Sequence, residues 1–309
     1  VNQLESLKGP VAVTATPVIE DGRPDFAELQ RQTEWLCGKE ITALFPCSST
    51  GEFVRFQFSE KAEILRVTAQ AAQGHKKLIA GICGASAGES EDLLERAKEY
   101  EYDACVICPP YYYPQSQEDI VGFYREIADR AEGMKLILYH VPFFTSGLSL
   151  DTICRLMERE EIVGIKDSSA NLKQMTQLNG MKSNGFLVYT GTDDCLLPAL
   201  VSGCDGSMTA LAGIIPEWVS GVYQAFREND LQAGQKRQRS VLPLLRLADS
   251  LPFPLGYKLL AKIRGLKIGV PFQTVSDSQL QAVEERMRQE LRELTQGGYV
   301  DEGSGLEEL

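Results

Sequence analysis

Histidine is nearly missing from this chain: His75 and His140 are the only two among 309 residues. A three-histidine metal site is therefore impossible, and no Ser-His-Asp set stands out. Long apolar runs are lacking too. None approaches the roughly 20 residues that a membrane-spanning helix needs. The first residues, Val1-Asn2-Gln3-Leu4-Glu5, carry neither the basic nor the apolar region of a signal peptide. A cytoplasmic location with no membrane partner is expected. Basic residues are the minority, 31 against 43 acidic ones, for a net charge of −12. That balance argues against non-specific binding to nucleic acid. It leaves anionic small molecules open, because they meet only the local field of a pocket.

Cysteine is present without a pattern. The eight residues are dispersed, and Cys83, Cys105, Cys108 and Cys204 sit inside apolar runs. With 43% apolar residues the core needs no covalent staples, so reduced, buried thiols are expected. Cys105 and Cys108 have the spacing of a redox or zinc pair. On a strand they would point to opposite faces, and no second pair completes a site, so no metal is expected.

What the chain does contain is a regular alternation. Apolar runs of strand length recur at 11–16, 41–45, 78–82, 104–107, 136–139, 162–166, 186–190 and 206–209. Helical patterns lie between them. Ser59-Glu60 reads as an N-cap with an early acid, and Ser116-Gln117-Glu118-Asp119 as a capping box. Leu93, Leu94, Ala97 and Tyr100 share one helical face. Eight such units predict an α/β fold, a closed (β/α)8 TIM barrel over residues 1–228 rather than an open sheet. A helix at 216–227 would close it. Patterns at 231–248, 254–264 and 276–294 predict a C-terminal three-helix appendage within 229–296. The last of these opens with a further capping pattern at Ser276. The Gly-rich, acidic end, 297–309, reads as a flexible tail.

One residue suggests chemistry. Lys166 ends the apolar run Ile162-Val163-Gly164-Ile165 and is followed by the turn-like Asp167-Ser168-Ser169. That puts a lysine at the carboxyl end of a buried strand, where barrel enzymes carry their active sites. Poor hydration there favours the neutral amine, a nucleophile able to form a Schiff base with a carbonyl compound. Snorkelling at a strand end, or pairing with Asp167, is the structural alternative. Other polar clusters follow other strands: Ser48-Ser49-Thr50-Gly51-Glu52, Tyr111-Tyr112-Tyr113, Tyr139 and Gly191-Thr192-Asp193-Asp194. Singly these are a turn, a packed aromatic run and a capping pair. Together, at the ends of separate strands, they converge on one face of a barrel. Tyr139, relayed through Ser49 or Thr50, would move the protons that carbinolamine chemistry requires.

These motifs, in this order, resemble the dihydrodipicolinate synthase / N-acetylneuraminate lyase family of pyruvate-dependent class I aldolases. The resemblance rests on Ser49-Thr50-Gly51-Glu52, Pro110-Tyr111-Tyr112, Leu138-Tyr139-His140-Val141-Pro142, Gly164-Ile165-Lys166-Asp167-Ser168-Ser169 and Gly203-Cys204-Asp205-Gly206. It implies a Schiff base between pyruvate and Lys166, Tyr139 as proton shuttle, and Ser49 and Thr50 holding the carboxylate and the relay. It implies that Tyr112 reaches into a neighbouring subunit's site in a homo-oligomer, a tetramer built as a dimer of dimers. Gly191 and Met208 match pocket-lining positions. No cofactor is implied beyond the covalent pyruvate–lysine imine.

Two departures bear on the substrate. The synthases carry an arginine, binding a substrate carboxylate, where this chain has Phe144, and the family asparagine is replaced by His140. An apolar ring cannot replace a bidentate cation. Gly191, Asp193, Asp194 and Ser168 instead resemble the sialic acid lyases, whose acidic side chains accept hydrogen bonds from a polyol. The expectation is a lyase that cleaves a 2-keto-3-deoxy sugar acid or a sialic-acid-like compound to pyruvate and an aldehyde. The alternatives are 4-hydroxy-tetrahydrodipicolinate synthase, with Arg23, Arg55 or an inserted loop supplying the missing cation, and a catalytically silent keto-acid-binding relative. Lys258 and Lys262 lie on a helical pattern and are expected to be solvated.

Overall fold

A computed structural model describes residues 4–182, 185–269 and 272–302. Among them, eight strands close into a parallel barrel in sequence order, β1 pairing with both β2 and β8. The strands are β1 Gly9–Val13, β2 Ala43–Phe45, β3 Lys77–Gly81, β4 Ala104–Ile107, β5 Leu136–His140, β6 Ile162–Asp167, β7 Leu187–Thr190 and β8 Gly206–Thr209. The helices that follow them in turn are α1 Phe26–Cys37, α2 Phe58–Ala72, α3 Ala87–Glu99, α4 Gln117–Asp129, α5 Leu150–Leu156, α6 Leu172–Met181, α7 Leu196–Val201 and α8 Pro216–Arg227. The strands are buried almost throughout. Helices cover the outer face and side chains fill the inner one, so the strand sequences run apolar instead of alternating.

The barrel closes where two glycines meet. Gly9 pairs with Gly206, and a Cβ on Gly206 would stand 2.1 Å from the Gly9 carbonyl oxygen. Only a residue without a side chain allows β1 and β8 to approach this closely. Helix starts follow the capping chemistry. Asp25, Ser86, Ser116, Ser149, Asn171 and Ser276 each accept a backbone N–H from the first turn of their helix. The start expected at Ser59 falls on Gln57, whose N–H donates to Glu60 Oε2 at 2.9 Å.

After α8 come α9 Leu231–Ser240, α10 Leu242–Asp249, α11 Leu255–Ile263 and α12 Asp277–Gln296. The single helix expected over 231–248 is two, broken at Val241 ahead of Pro243. Proline has no N–H to donate and crowds the preceding turn, so the chain restarts there. The end of the chain also packs more than expected. Val300 is buried, Asp301 pairs with Lys39 at 3.3 Å, and the Arg237 guanidinium lies 4.9 Å from the Tyr299 ring centroid. Residues 303–309 of the expected tail lie outside the described residues.

All eight cysteines are free thiols. Cys47, Cys83, Cys105, Cys108 and Cys204 are buried, and Cys37, Cys154 and Cys195 are half-buried. Among the described residues no helix is long and apolar enough to cross a membrane.

Candidate active site

The carboxyl ends of the strands surround a cavity of about 390 Å³. Ten of the eleven residues expected from sequence line it: Ser49, Thr50, Tyr139, Phe144, Lys166, Ser168, Gly191, Asp193, Asp194 and Met208. The eleventh, Tyr112, is 78% exposed on the loop after β4 and does not reach the cavity of its own chain. It packs edge-on against Tyr113 at 4.8 Å.

Lys166 and Tyr139 face one another because β5 and β6 pair Tyr139 with Lys166 directly. Side chains at paired positions of adjacent parallel strands project to the same side. The lysine Nζ lies 4.4 Å from the Tyr139 ring centroid and 5.0 Å from that of Phe45. Its side chain is buried. Asp167 does not neutralise it. One oxygen of that carboxylate accepts from the Ser169 backbone N–H at 2.8 Å and from the Ser169 hydroxyl at 2.6 Å. The pairing alternative raised by the sequence is thus set aside. Gly191 makes room for the amine's approach: a Cβ there would sit 1.9 Å from Ser168 Oγ and 3.1 Å from Lys166 Cε.

The Tyr139 phenol meets the Ser49 hydroxyl at 3.4 Å. Ser49 is held in a turn whose Gly51 N–H donates to Ser48 Oγ at 3.1 Å, while the Ser48 hydroxyl donates to the Thr14 carbonyl at 3.4 Å. His140, next to Tyr139, points away from the cavity. Its Nδ1 accepts from the Leu148 N–H at 2.9 Å, and burial holds its pKa below the ordinary imidazole value. The imidazole therefore serves as a neutral acceptor that ties down the loop after β5.

Another part of the lining, beginning after β7, is acidic. Asp193 and Asp194 are joined there by Asp249, from the end of α10, and by Tyr257 of α11. The Tyr257 hydroxyl donates to Asp249 Oδ1 at 2.9 Å. Burial pushes the Asp193 carboxyl up to about 7, against the opposing effect of hydrogen bonds from Thr209 and the Leu211 N–H. Burial likewise raises Asp249, with the nearby Asp194 charge adding to it. Burial also raises Tyr257, followed by the charges of Asp193, Asp249 and Asp194. Lys166 is the only basic residue lining this cavity among the described residues. Asp249 and Tyr257 carry no local motif; the sequence offers only a helix end and an apolar helix at those positions.

Phe144 stands between this cavity and a neighbouring one of about 240 Å³, and packs 5.6 Å from Phe253. Arg55 lines the smaller cavity, where its guanidinium covers Phe272 at 4.7 Å and bonds Glu52 at 3.0 Å. Arg23 lines neither cavity and pairs with Asp21 at 2.7 Å on the surface. Lys262 is solvated, its side chain 66% exposed. Lys258 is not: its side chain is 3% exposed and ion-paired with Glu52. The helix that carries it turns that face inward, a fact the apolar pattern alone left open. Among the described residues no group of three or more His, Cys, Asp or Glu side chains is placed to hold a metal ion.

Known proteins resemble this chain in sequence and in fold. N-acetylneuraminate lyase of Escherichia coli (strain SMS-3-5 / SECEC) is 32% identical over 234 residues, 75% of this chain and 78% of that enzyme. The crystal structure of a dihydrodipicolinate synthase from Bacillus anthracis superposes with a TM-score of 0.85 at 27% identity, covering 91% of this chain and 97% of that one. A dihydrodipicolinate synthase from Aquifex aeolicus superposes with a TM-score of 0.86 at 23% identity, over 95% and 99% of the two chains, and so attests to the fold. The family model described as the dihydrodipicolinate synthetase family matches residues 6–290. The chain belongs to the dihydrodipicolinate synthetase family.

Proposed function

We propose that the protein is a lysine Schiff-base lyase that cleaves a 2-keto-3-deoxy sugar acid or a sialic-acid-like compound to pyruvate and an aldehyde. The observation that carries this reading is a buried amine, Lys166, set against the Tyr139 ring in a cavity also lined by Asp193, Asp194 and Asp249. In the proposed reaction the neutral Lys166 amine adds to the keto carbon. The carbinolamine loses water to give an iminium, with Tyr139 and Ser49 passing the protons. The iminium then draws the electrons of the bond between C3 and C4, while the C4 hydroxyl gives its proton to the Tyr139 oxygen. The aldehyde leaves, the enamine is protonated at C3, and water releases pyruvate and restores the amine. Ser49 and Thr50 hold the pyruvate carboxylate. Asp193, Asp194 and Ser168 accept or share hydrogen bonds with the hydroxylated chain, and Gly191, Met208 and Phe144 shape its path. The acidic wall favours an uncharged polyol end over a phosphate or second carboxylate.

A second reading, 4-hydroxy-tetrahydrodipicolinate synthase, draws on the position of Arg55 beside Phe144 in the adjacent cavity. Its guanidinium is already engaged by Glu52, which leaves less of it for a substrate carboxylate. The active assembly in this proposal is a cytoplasmic homotetramer in which Tyr112 completes the site of a neighbouring copy.

Two experiments test the reading. Pyruvate with borohydride is expected to fix one adduct on Lys166. A screen of 2-keto-3-deoxy acids is expected to release pyruvate from at least one of them. Turnover only of pyruvate with aspartate semialdehyde would establish the synthase instead. Failure of any adduct to form would point to the catalytically silent relative. Light scattering of the purified chain reports the assembly.

A further inference from the structure

The turn that carries Ser49 and Thr50 is tied down from behind. Glu52, two residues after Thr50, has φ 55° and ψ 39°. This left-handed conformation is uncommon for a non-glycine residue. The Glu52 side chain is held as well. Glu52 Oε2 accepts from Arg55 Nη1 at 3.0 Å and from Lys258 Nζ. The Glu52 and Lys258 side chains are each 3% exposed. Lys258 comes from α11, 206 residues further along the chain. On the backbone side, the Glu52 N–H donates to the Ser49 carbonyl at 3.0 Å and the Phe53 N–H to the Ser48 carbonyl at 3.3 Å. One residue thus joins a buried ion pair to the turn that lines the cavity.

Buried pairs of this kind add little net stability, because both charges give up water. Their effect is on geometry, since neither partner can move without stranding the other. Glu52 Oε1 has no hydrogen-bond partner among the described residues. A buried carboxylate left partly unsatisfied by protein groups is a poor choice for stability alone. It makes sense where the position of the turn matters more than its energy.

We propose that Lys258 is a positioning residue: through Glu52 it holds the Ser49-Thr50 turn in the shape that receives the carboxylate of the keto acid. This role rests on the pyruvate reading above. It also gives the C-terminal helices a part in substrate binding through the Ser49-Thr50 turn, apart from the Asp249 and Tyr257 side chains they place in the cavity lining.

The test is borohydride trapping over graded pyruvate concentrations. The double variant Glu52→Gln/Lys258→Met removes the tie to α11 while the new amide oxygen can still accept the Arg55 hydrogen bond. Its half-saturating pyruvate concentration is expected to rise about tenfold, the scale of a small misplacement of a binding group. The adduct formed at saturation and the cooperativity of thermal unfolding are expected to stay as in the native protein. Lys258→Arg, which keeps a cation in place, is expected to retain more of the native pyruvate response than the double variant. A folded double variant with native half-saturation overturns the proposal. A double variant that no longer folds also overturns it, because the pair would then be a stability element. If the native protein forms no adduct at all, the pyruvate reading falls first, and this role with it.

Discussion

The two walls of the main cavity are built on different plans. In one, Lys166, Tyr139 and Ser49 sit at the ends of strands or in the turn directly after one; strand register places Lys166 beside Tyr139, and the Ser49 hydroxyl meets the Tyr139 phenol. In the other, Asp193 and Asp194 start a short turn after β7, while Asp249 and Tyr257 arrive from helices outside the barrel. The first has an amine with no carboxylate partner among the described residues; the second has three carboxylates and a phenol. In the proposed reaction the difference would separate two jobs. A rigid sheet would fix the groups that must meet a reacting carbon within fractions of an ångström. Appended helices would supply groups that recognise the rest of a substrate and can vary without disturbing the barrel.

Substitutions break this comparison to different extents. Lys166→Ala removes the proposed nucleophile, and pyruvate release is expected to fall by roughly 10³ or more, with no borohydride adduct. Tyr139→Phe keeps the ring and removes the proposed proton carrier. Turnover is expected to fall about 10²-fold or more, while pyruvate trapping by mass spectrometry survives at long incubation. On the acidic wall, Asp194→Asn and Asp249→Asn are expected to cost about tenfold in kcat/KM for a polyhydroxylated substrate and to leave half-saturation by pyruvate alone unchanged. If either variant weakened pyruvate binding as much as polyol cleavage, the division of labour between the walls would be wrong.

The smallest effect concerns stability. Folded Asp193 keeps its proton up to about pH 7, whereas an unperturbed aspartate releases it near 3.8. Between those values the native state holds more protons than the unfolded chain, so this residue makes the protein less stable as the pH rises. Asp193→Asn removes that contribution. The loss of stability from pH 4 to pH 7, followed by urea unfolding, is therefore expected to be smaller in the variant, by up to a few kcal/mol. An identical pH profile would place the carboxyl in a wetter setting than its burial implies.

Much of this was legible in the chain because the relevant signals are local. The runs at 104–107 and 206–209 are the observed β4 and β8, and Lys166 sits on its strand where the apolar run places it. The run at 11–16 overshoots, since β1 ends at Val13 while Thr14, Ala15 and Thr16 remain buried as loop. Apolar patterning reports burial, not ladder pairing. His140 looked like a departure with unclear consequence; its Nδ1 bond to Leu148 depends on how the following loop folds back.

By itself, then, the sequence determined the barrel, the order of its units and the convergence of Lys166, Tyr139 and Ser49 on one cavity, because strand ends in a closed parallel sheet must converge and each motif ends or directly follows its own apolar run. Tertiary structure alone decided that Lys258 is buried against Glu52 and that Asp249 and Tyr257 complete the acidic wall. Those contacts join groups far apart along the chain, and no periodicity in a helix records which distant turn its polar side chains will meet.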